Sequence, residues 1–68
     1  MNARISITRI DDSRDGTFTA YVTIGFKDFP ALELQLTVEA GVYGEVPAIV
    51  FRQLSDLGNQ IATAAQNA

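Results

Sequence analysis

Three carboxylates lie close together in the segment DDSRDG, residues 11–16, and are the side chains best suited to holding a metal ion. Carboxylate oxygens in a short loop are ligands for calcium. The loop of an EF-hand, however, needs acidic residues at alternating positions and a glutamate at its end, between two helices. Asp11, Asp12 and Asp15 do not have that spacing. We therefore interpret the segment as a solvated hairpin loop and predict no metal site.

Nucleophilic catalysis is the second chemistry to consider. A Ser, Thr or Cys nucleophile commonly needs a His or Lys base. The chain has no His and no Cys, and its single lysine, Lys27, falls in a predicted turn. Its glycines form neither the G-x-x-x-x-G-K nor the G-x-G-x-x-G phosphate-binding pattern. The sequence therefore predicts a protein that is not an enzyme and that binds no cofactor.

Hydrophobic periodicity predicts the strands that position these side chains. Three segments alternate between apolar and polar residues, as half-buried β-strands do: residues 3–10, 17–26 and 31–39. We expect Phe26 opposite Leu32 and Ile7 opposite Ala20, because this register places the apolar residues of all three strands on one face. We call that the inner face. Arg9 is expected to interrupt it near the end of the first strand.

The last predicted element is a helix from about Val46 to Ala65, with Pro47 in its first turn, where proline is tolerated. Six apolar residues recur at spacings of three and four and should pack on the inner face: Val46, Val50, Leu54, Leu57, Ile61 and Ala64. The predicted fold class is α+β, a three-stranded antiparallel β-meander with one C-terminal helix on its apolar face (βββα). Residues 1–68 form a single small domain.

The composition of the chain limits the classes of partner that are expected. Five basic against eight acidic residues give a net charge of −3, which does not attract phosphate backbones or anionic lipid. No apolar run is long enough for a membrane span, and the start lacks a secretory apolar region, so we expect a cytoplasmic location. A chain of 68 residues has a marginal core, and without cysteine it has no disulfide. Self-association therefore stays open.

We call the polar side of the predicted sheet its outer face. The order βββα resembles the plant-type AP2 domain and the arm-binding domains of phage integrases, which read DNA with an open sheet face rich in arginine and aromatics. The outer face here is predicted to hold Arg4, Ser6, Thr8, Thr17, Thr19, Tyr21, Thr23, Glu33, Gln35, Thr37 and Glu39. With one basic residue and two acids, it is expected not to bind nucleic acid directly.

A second resemblance rests on the turn FKDFP, Phe26 to Pro30. It is similar to the F-x-D-[FL]-P turn of antitoxin domains of the partial RNase-H type, which also run from three strands into a helix. The likeness covers only this turn, and Ala31 and Leu32 stand where that family has Gly and Thr. It implies an antitoxin-like domain as one alternative, and membership is not claimed.

Two apolar surfaces are candidates for binding a protein. One is a helix flank where small residues lie beside an aromatic ring, a pattern that lets another helix pack closely: Phe51, Ser55, Gly58 and Ala62. A homodimer through this flank is one interpretation, and Phe51 covering the sheet edge is the other. The second is the loop with Val42 and Tyr43, which either covers the core or forms an exposed recognition tip.

The third candidate surface is acidic. Asp11, Asp12 and Asp15 are expected to share a side with Glu33, Glu39 and Tyr21, where they could compete for a basic groove meant for nucleic acid; ordinary solubility charge is the alternative. We expect a non-catalytic protein-binding module, such as a small accessory or inhibitor protein of phage or mobile-element type. The alternatives are a self-associating structural subunit and an antitoxin-like or DNA-binding βββα domain.

Overall fold

Three antiparallel strands precede one helix in the computed structural model, which describes residues 3–68. The strands are β1 (Ala3–Asp12), β2 (Thr17–Phe26) and β3 (Leu32–Glu39), in the order β1-β2-β3. A 3-10 turn (Tyr43–Glu45) leads into α1 (Val46–Gln66). The predicted βββα fold is confirmed. The first strand is two residues longer than predicted, because Asp11 and Asp12 continue the ladder opposite Thr19 and Phe18.

A β-bulge between Ile7 and Arg9 corrects the prediction for the first strand. The extra residue changes the side to which later side chains point. Arg9 therefore lies on the outer face, opposite Tyr21, and Ile10 lies on the inner face, opposite Ala20. The expected interruption of the inner face by Arg9 is wrong.

The strand registers also differ from the predicted ones, by two residues in each hairpin. Ile24 lies opposite Leu32, and Ile7 lies opposite Val22. A shift of two keeps every side chain on its own face, so the inner face survives. It leaves Phe26 beyond the end of the β2–β3 ladder, because the turn between these strands is wider than the sequence suggested.

The β1–β2 hairpin is held by its own carboxylates. The backbone N–H of Arg14 donates to Asp12 Oδ1 at 2.8 Å. The backbone N–H of Thr17 donates to Asp15 Oδ1 at 3.1 Å, and the Thr17 hydroxyl donates to the same oxygen. Arg14 and Gly16 have positive φ, 64° and 87°. Only the glycine adopts this region without strain.

The core is small and lies towards one end of the sheet. Within residues 3–68, seven side chains are buried, from β2, β3 and the first half of α1: Phe18, Ala20, Val22, Val38, Val46, Val50 and Leu54. Ile49 and Leu57 are half-buried against them. The side chains from Gly58 to Ala68 are all exposed. The prediction that Ile61 and Ala64 pack on the sheet is therefore wrong, although the helix itself forms as predicted.

The position of the helix explains this difference. Gln53 donates a long hydrogen bond of 3.5 Å from its side-chain amide to the backbone carbonyl of Thr37 on β3. The helix therefore contacts the edge strand β3 about two turns from its start. Because each residue adds 1.5 Å, most of the length of the helix lies beyond this contact. A helical wheel gives the direction of a side chain and not how far along the axis a sheet extends.

Candidate functional site

The inner face is left uncovered at the end opposite the core. We call Ile5, Phe26 and Leu32 the open end of the sheet. Ile5 is 42% exposed, Phe26 38% and Leu32 40%. Ile5 and Leu32 flank the half-buried Ile24 in one cross-strand row. The side chains therefore form a continuous apolar surface across all three strands, which is the part of the inner face that α1 does not reach.

A second uncovered apolar surface lies on the last part of α1. We call residues 58–66 the helix tail. Its sequence, GNQIATAAQ, contains no charged residue. Ile61 is 56% exposed, and Ala64 and Ala65 share its side of the helix because they follow at spacings of three and four. The open end, and Ile61 and Ala64 of the helix tail, were predicted to be core. Residue type alone did not reveal that they are exposed, since the signal lies in the three-dimensional extent of the packing.

The predicted helix flank is exposed along its whole length. Phe51 is 49% exposed, and Ser55, Gly58 and Ala62 are exposed as well. A Cβ placed on Gly58 would meet nothing within 4 Å. The space beside Gly58 is therefore open. Gly58 and Ala62 also belong to the helix tail, so the flank and the tail are adjacent surfaces of one helix.

The loop of residues 40–46 shows part of each predicted alternative, because it is exposed and also contacts the core. Val42 and Tyr43 are 58% and 60% exposed. The Tyr43 ring nevertheless meets the buried Phe18 edge-to-face, with centroids 6.2 Å apart and an interplanar angle of 75°. Such pairs stabilise by about 0.5–1.5 kcal/mol beyond simple burial. Tyr43 thus covers the end of the core with one edge and leaves the rest of its ring open.

The outer face carries polar side chains from all three strands. The guanidinium of Arg9 lies 4.2 Å from the centroid of the Tyr21 ring and forms an ion pair of 3.1 Å with Asp11. The pKa of Arg9 is raised above its usual value, most of all by a hydrogen bond with the Tyr21 side chain and next by the charge of the Asp11 carboxylate. A shallow depression of about 320 Å³ beside this cluster is lined by Thr8, Tyr21, Val22, Thr23, Glu33, Leu34 and Gln35.

The predicted acidic set is divided between two places. Asp11, Glu33 and Glu39 lie on the outer face, where Asp11 is paired with Arg9. Asp12 and Asp15 serve the hairpin backbone instead. The Thr17 hydroxyl, with the Thr17 backbone N–H, lowers the pKa of Asp15. The bulge brings Arg9 next to Tyr21, so the outer face is less acidic than the sequence suggested.

The predicted partner-binding residues do not converge on one site. They lie on three surfaces: the helix flank, the 40–46 loop and the outer face. Across residues 3–68, no group of three His, Cys, Asp or Glu side chains is arranged to hold a metal ion. Within the same range, no helix is both long and apolar enough to cross a membrane.

Comparison with known proteins adds no relative: no family model, no curated protein and no solved structure matches this chain. The function is therefore inferred from the exposed surfaces of the chain.

Proposed function

We propose that this protein is a non-catalytic module that acts by binding another protein, and that the open end of the sheet makes the contact. The observation that carries the proposal is the exposure of Ile5, Phe26 and Leu32 in one continuous surface, beside a core that is complete without them. Contiguous apolar surface on a folded domain is typical of interaction sites, whereas scattered apolar residues need no explanation.

The surroundings of the open end support a protein as the partner. Protein interfaces combine an apolar centre with a polar rim. The turn after β2 provides such a rim with Lys27 and Asp28, and it adds the exposed ring of Phe29. A nucleic acid would instead require basic side chains around the contact. The outer face pairs its Arg9 with Asp11, which favours the inner face over the outer one.

The proposal includes a role as a small accessory or inhibitor protein in the cytoplasm. An inhibitor can act through the open end by covering an apolar site of its target. The other route is the acidic outer face competing for a basic groove. The two routes place the decisive residues on opposite faces of β3, so one pair of substitutions separates them.

The test compares Leu32→Lys with Gln35→Lys, which make similar charge changes on opposite faces of the same strand. Immobilised wild-type and variant proteins are used to capture partners from the source cells. A protein retained by the wild type is then purified, and its dissociation constant is measured by calorimetry. We expect Leu32→Lys to weaken binding by at least about tenfold, or roughly 1.4 kcal/mol, and Gln35→Lys to leave it unchanged.

Two results would overturn this assignment. Loss of binding in Gln35→Lys, with Leu32→Lys unaffected, would establish the outer face as the contact. Failure of the wild type to retain any protein specifically would remove the proposed binding function itself. Circular dichroism of both variants confirms that each is folded before binding is compared.

A further inference from the structure

The chain exposes more surface than a folded monomer of its mass. Its accessible surface is 5176 Å², whereas a folded chain of 7.4 kDa exposes roughly 4,200 Å². The excess is about 1,000 Å². The shape agrees, because the radius of gyration is 13.3 Å with extents of 39 × 23 × 16 Å, against about 11 Å for a compact domain of this length.

Two exposed apolar surfaces contribute to this excess. The helix tail carries Ile61 on a segment without charge, and the open end presents Ile5, Phe26 and Leu32. One surface is a convex helix and the other is an uncovered sheet. The helix tail spans about 13 Å at 1.5 Å per residue, and the three strands of the open end span roughly 10 Å. Each surface therefore has the size to cover the other in a second molecule.

We propose that the partner for the open end is a second copy of this chain, in a two-fold symmetric dimer in which the helix tail of each copy lies on the open end of the other. This inference rests on the proposed function and names its first partner. A reciprocal contact of this kind is closed, so it ends at two copies. Stable interfaces bury about 800 Å² on each partner, and the excess surface of the chain, about 1,000 Å², is of that size.

The residue types of the helix tail suit such a contact. Ala64 and Ala65 are small and lie on the same side of the helix as Ile61, so the backbone can approach a sheet closely there. Interface centres are depleted of charged residues, and this segment contains none. Because the two apolar surfaces belong to the same chain, they are present at equal concentration in every solution of the protein.

The experiment measures the mass in solution by sedimentation equilibrium, from low micromolar to millimolar concentration. We expect the wild type to approach twice 7.4 kDa. Ile61→Glu and Leu32→Glu, which change exposed positions on the two proposed surfaces, should each raise the dissociation constant by at least about tenfold. Val42→Glu is the matched control, since Val42 is 58% exposed, close to the 56% of Ile61, and lies outside both proposed surfaces. It should leave the dimer intact.

Three results would contradict the inference, and a fourth separates it from the proposed function. A wild type that stays at 7.4 kDa at all concentrations excludes the dimer. A dimer that resists both substitutions but dissociates with Phe51→Glu uses the helix flank instead. A monomeric wild type that still captures a different protein through Leu32 would refute the dimer and leave the proposed function standing. A dimer that captures no other protein would leave self-association as the only binding activity.

Discussion

The unequal packing of α1 is tested by truncating two residues of its apolar stripe, Val50 and Ile61. Val50 is fully buried, whereas Ile61 is 56% exposed. Val50→Ala removes two carbons, at about 0.8 kcal/mol each, and leaves a cavity that adds about 1 kcal/mol. The higher helix propensity of alanine offsets about 0.5 kcal/mol. The net loss in free energy of unfolding is therefore about 2 kcal/mol.

Ile61→Ala removes three carbons, yet we expect it to lower the free energy of unfolding by only about 0.5 kcal/mol. About half of the side chain is already in water, and alanine again favours the helix. If the whole stripe were packed on the sheet, the larger deletion would cost about 3 kcal/mol instead. The two models thus give opposite orders for Val50→Ala and Ile61→Ala.

The assay is urea denaturation followed by circular dichroism at low micromolar protein, where a weak dimer is dissociated. For a single core of this size, a loss of about 2 kcal/mol is a large part of the total stability. An Ile61→Ala loss equal to or larger than that of Val50→Ala would refute the exposed helix tail. The experiment is repeated at hundredfold higher protein concentration. There, Ile61→Ala should lose stability relative to the wild type if the proposed dimer forms, because association stabilises only the folded chain.

Three further predictions concern the hairpin and the outer face. Gly16→Ala should lower the free energy of unfolding by about 1 kcal/mol and Arg14→Gly should raise it by about 0.5 kcal/mol, because both positions have positive φ; equal effects in the urea midpoint would contradict this. The lowered pKa of Asp15 means that its contribution is complete above the unfolded value of about 4 and is lost as pH falls through the folded value. The urea midpoint of Asp15→Asn should therefore lie below that of the wild type at pH 6 and approach it at pH 2. A difference that stays constant with pH would show that ionisation of Asp15 is not its cause. Finally, duplex DNA should show no mobility shift with this protein at low salt, and a shift that disappears with added salt would instead indicate phosphate binding.

The sequence was sufficient to predict the elements and their order. In β2, every second residue from Phe18 to Phe26 is apolar, and the strand has the predicted bounds. The helix begins at Val46 as predicted, because Pro47 suits its first turn. These predictions depend on local periodicity, which the chain shows in each segment separately.

The register and the bulge were not predictable in the same way. Ile24 pairs with Leu32, while a register shifted by two would keep the same side chains on the inner face. The hydrophobic pattern therefore cannot distinguish these two registers, and the geometry of the turn determines which one forms. The position of Arg9 did contain a signal: an arginine on the inner face followed by Ile10 is the pattern that one extra residue produces.

The candidate surfaces were only partly predictable for a related reason. Phe51, Gly58 and Ala62 could be assigned to one flank from helical spacing, and they do lie exposed on α1. The open end of the sheet was missed because Ile5 and Leu32 satisfy the same alternation as Val22, which is buried. Exposure depends on where the helix ends its contact with the sheet, and no local pattern contains that distance.

The apolar stripe of α1 continues for two turns beyond the last side chain that packs on its own sheet. Leu54 is buried and Leu57 half-buried, and the next member of the stripe, Ile61, faces water. A helix that only had to cover this core could end near Gly58 and lose no buried contact. The uncovered part of the sheet is apolar in the same way, since Ile5 and Leu32 flank Ile24 in a row that no helix of the same molecule covers. The proposed dimer accounts for both apolar surfaces, because each would cover the other in the second copy.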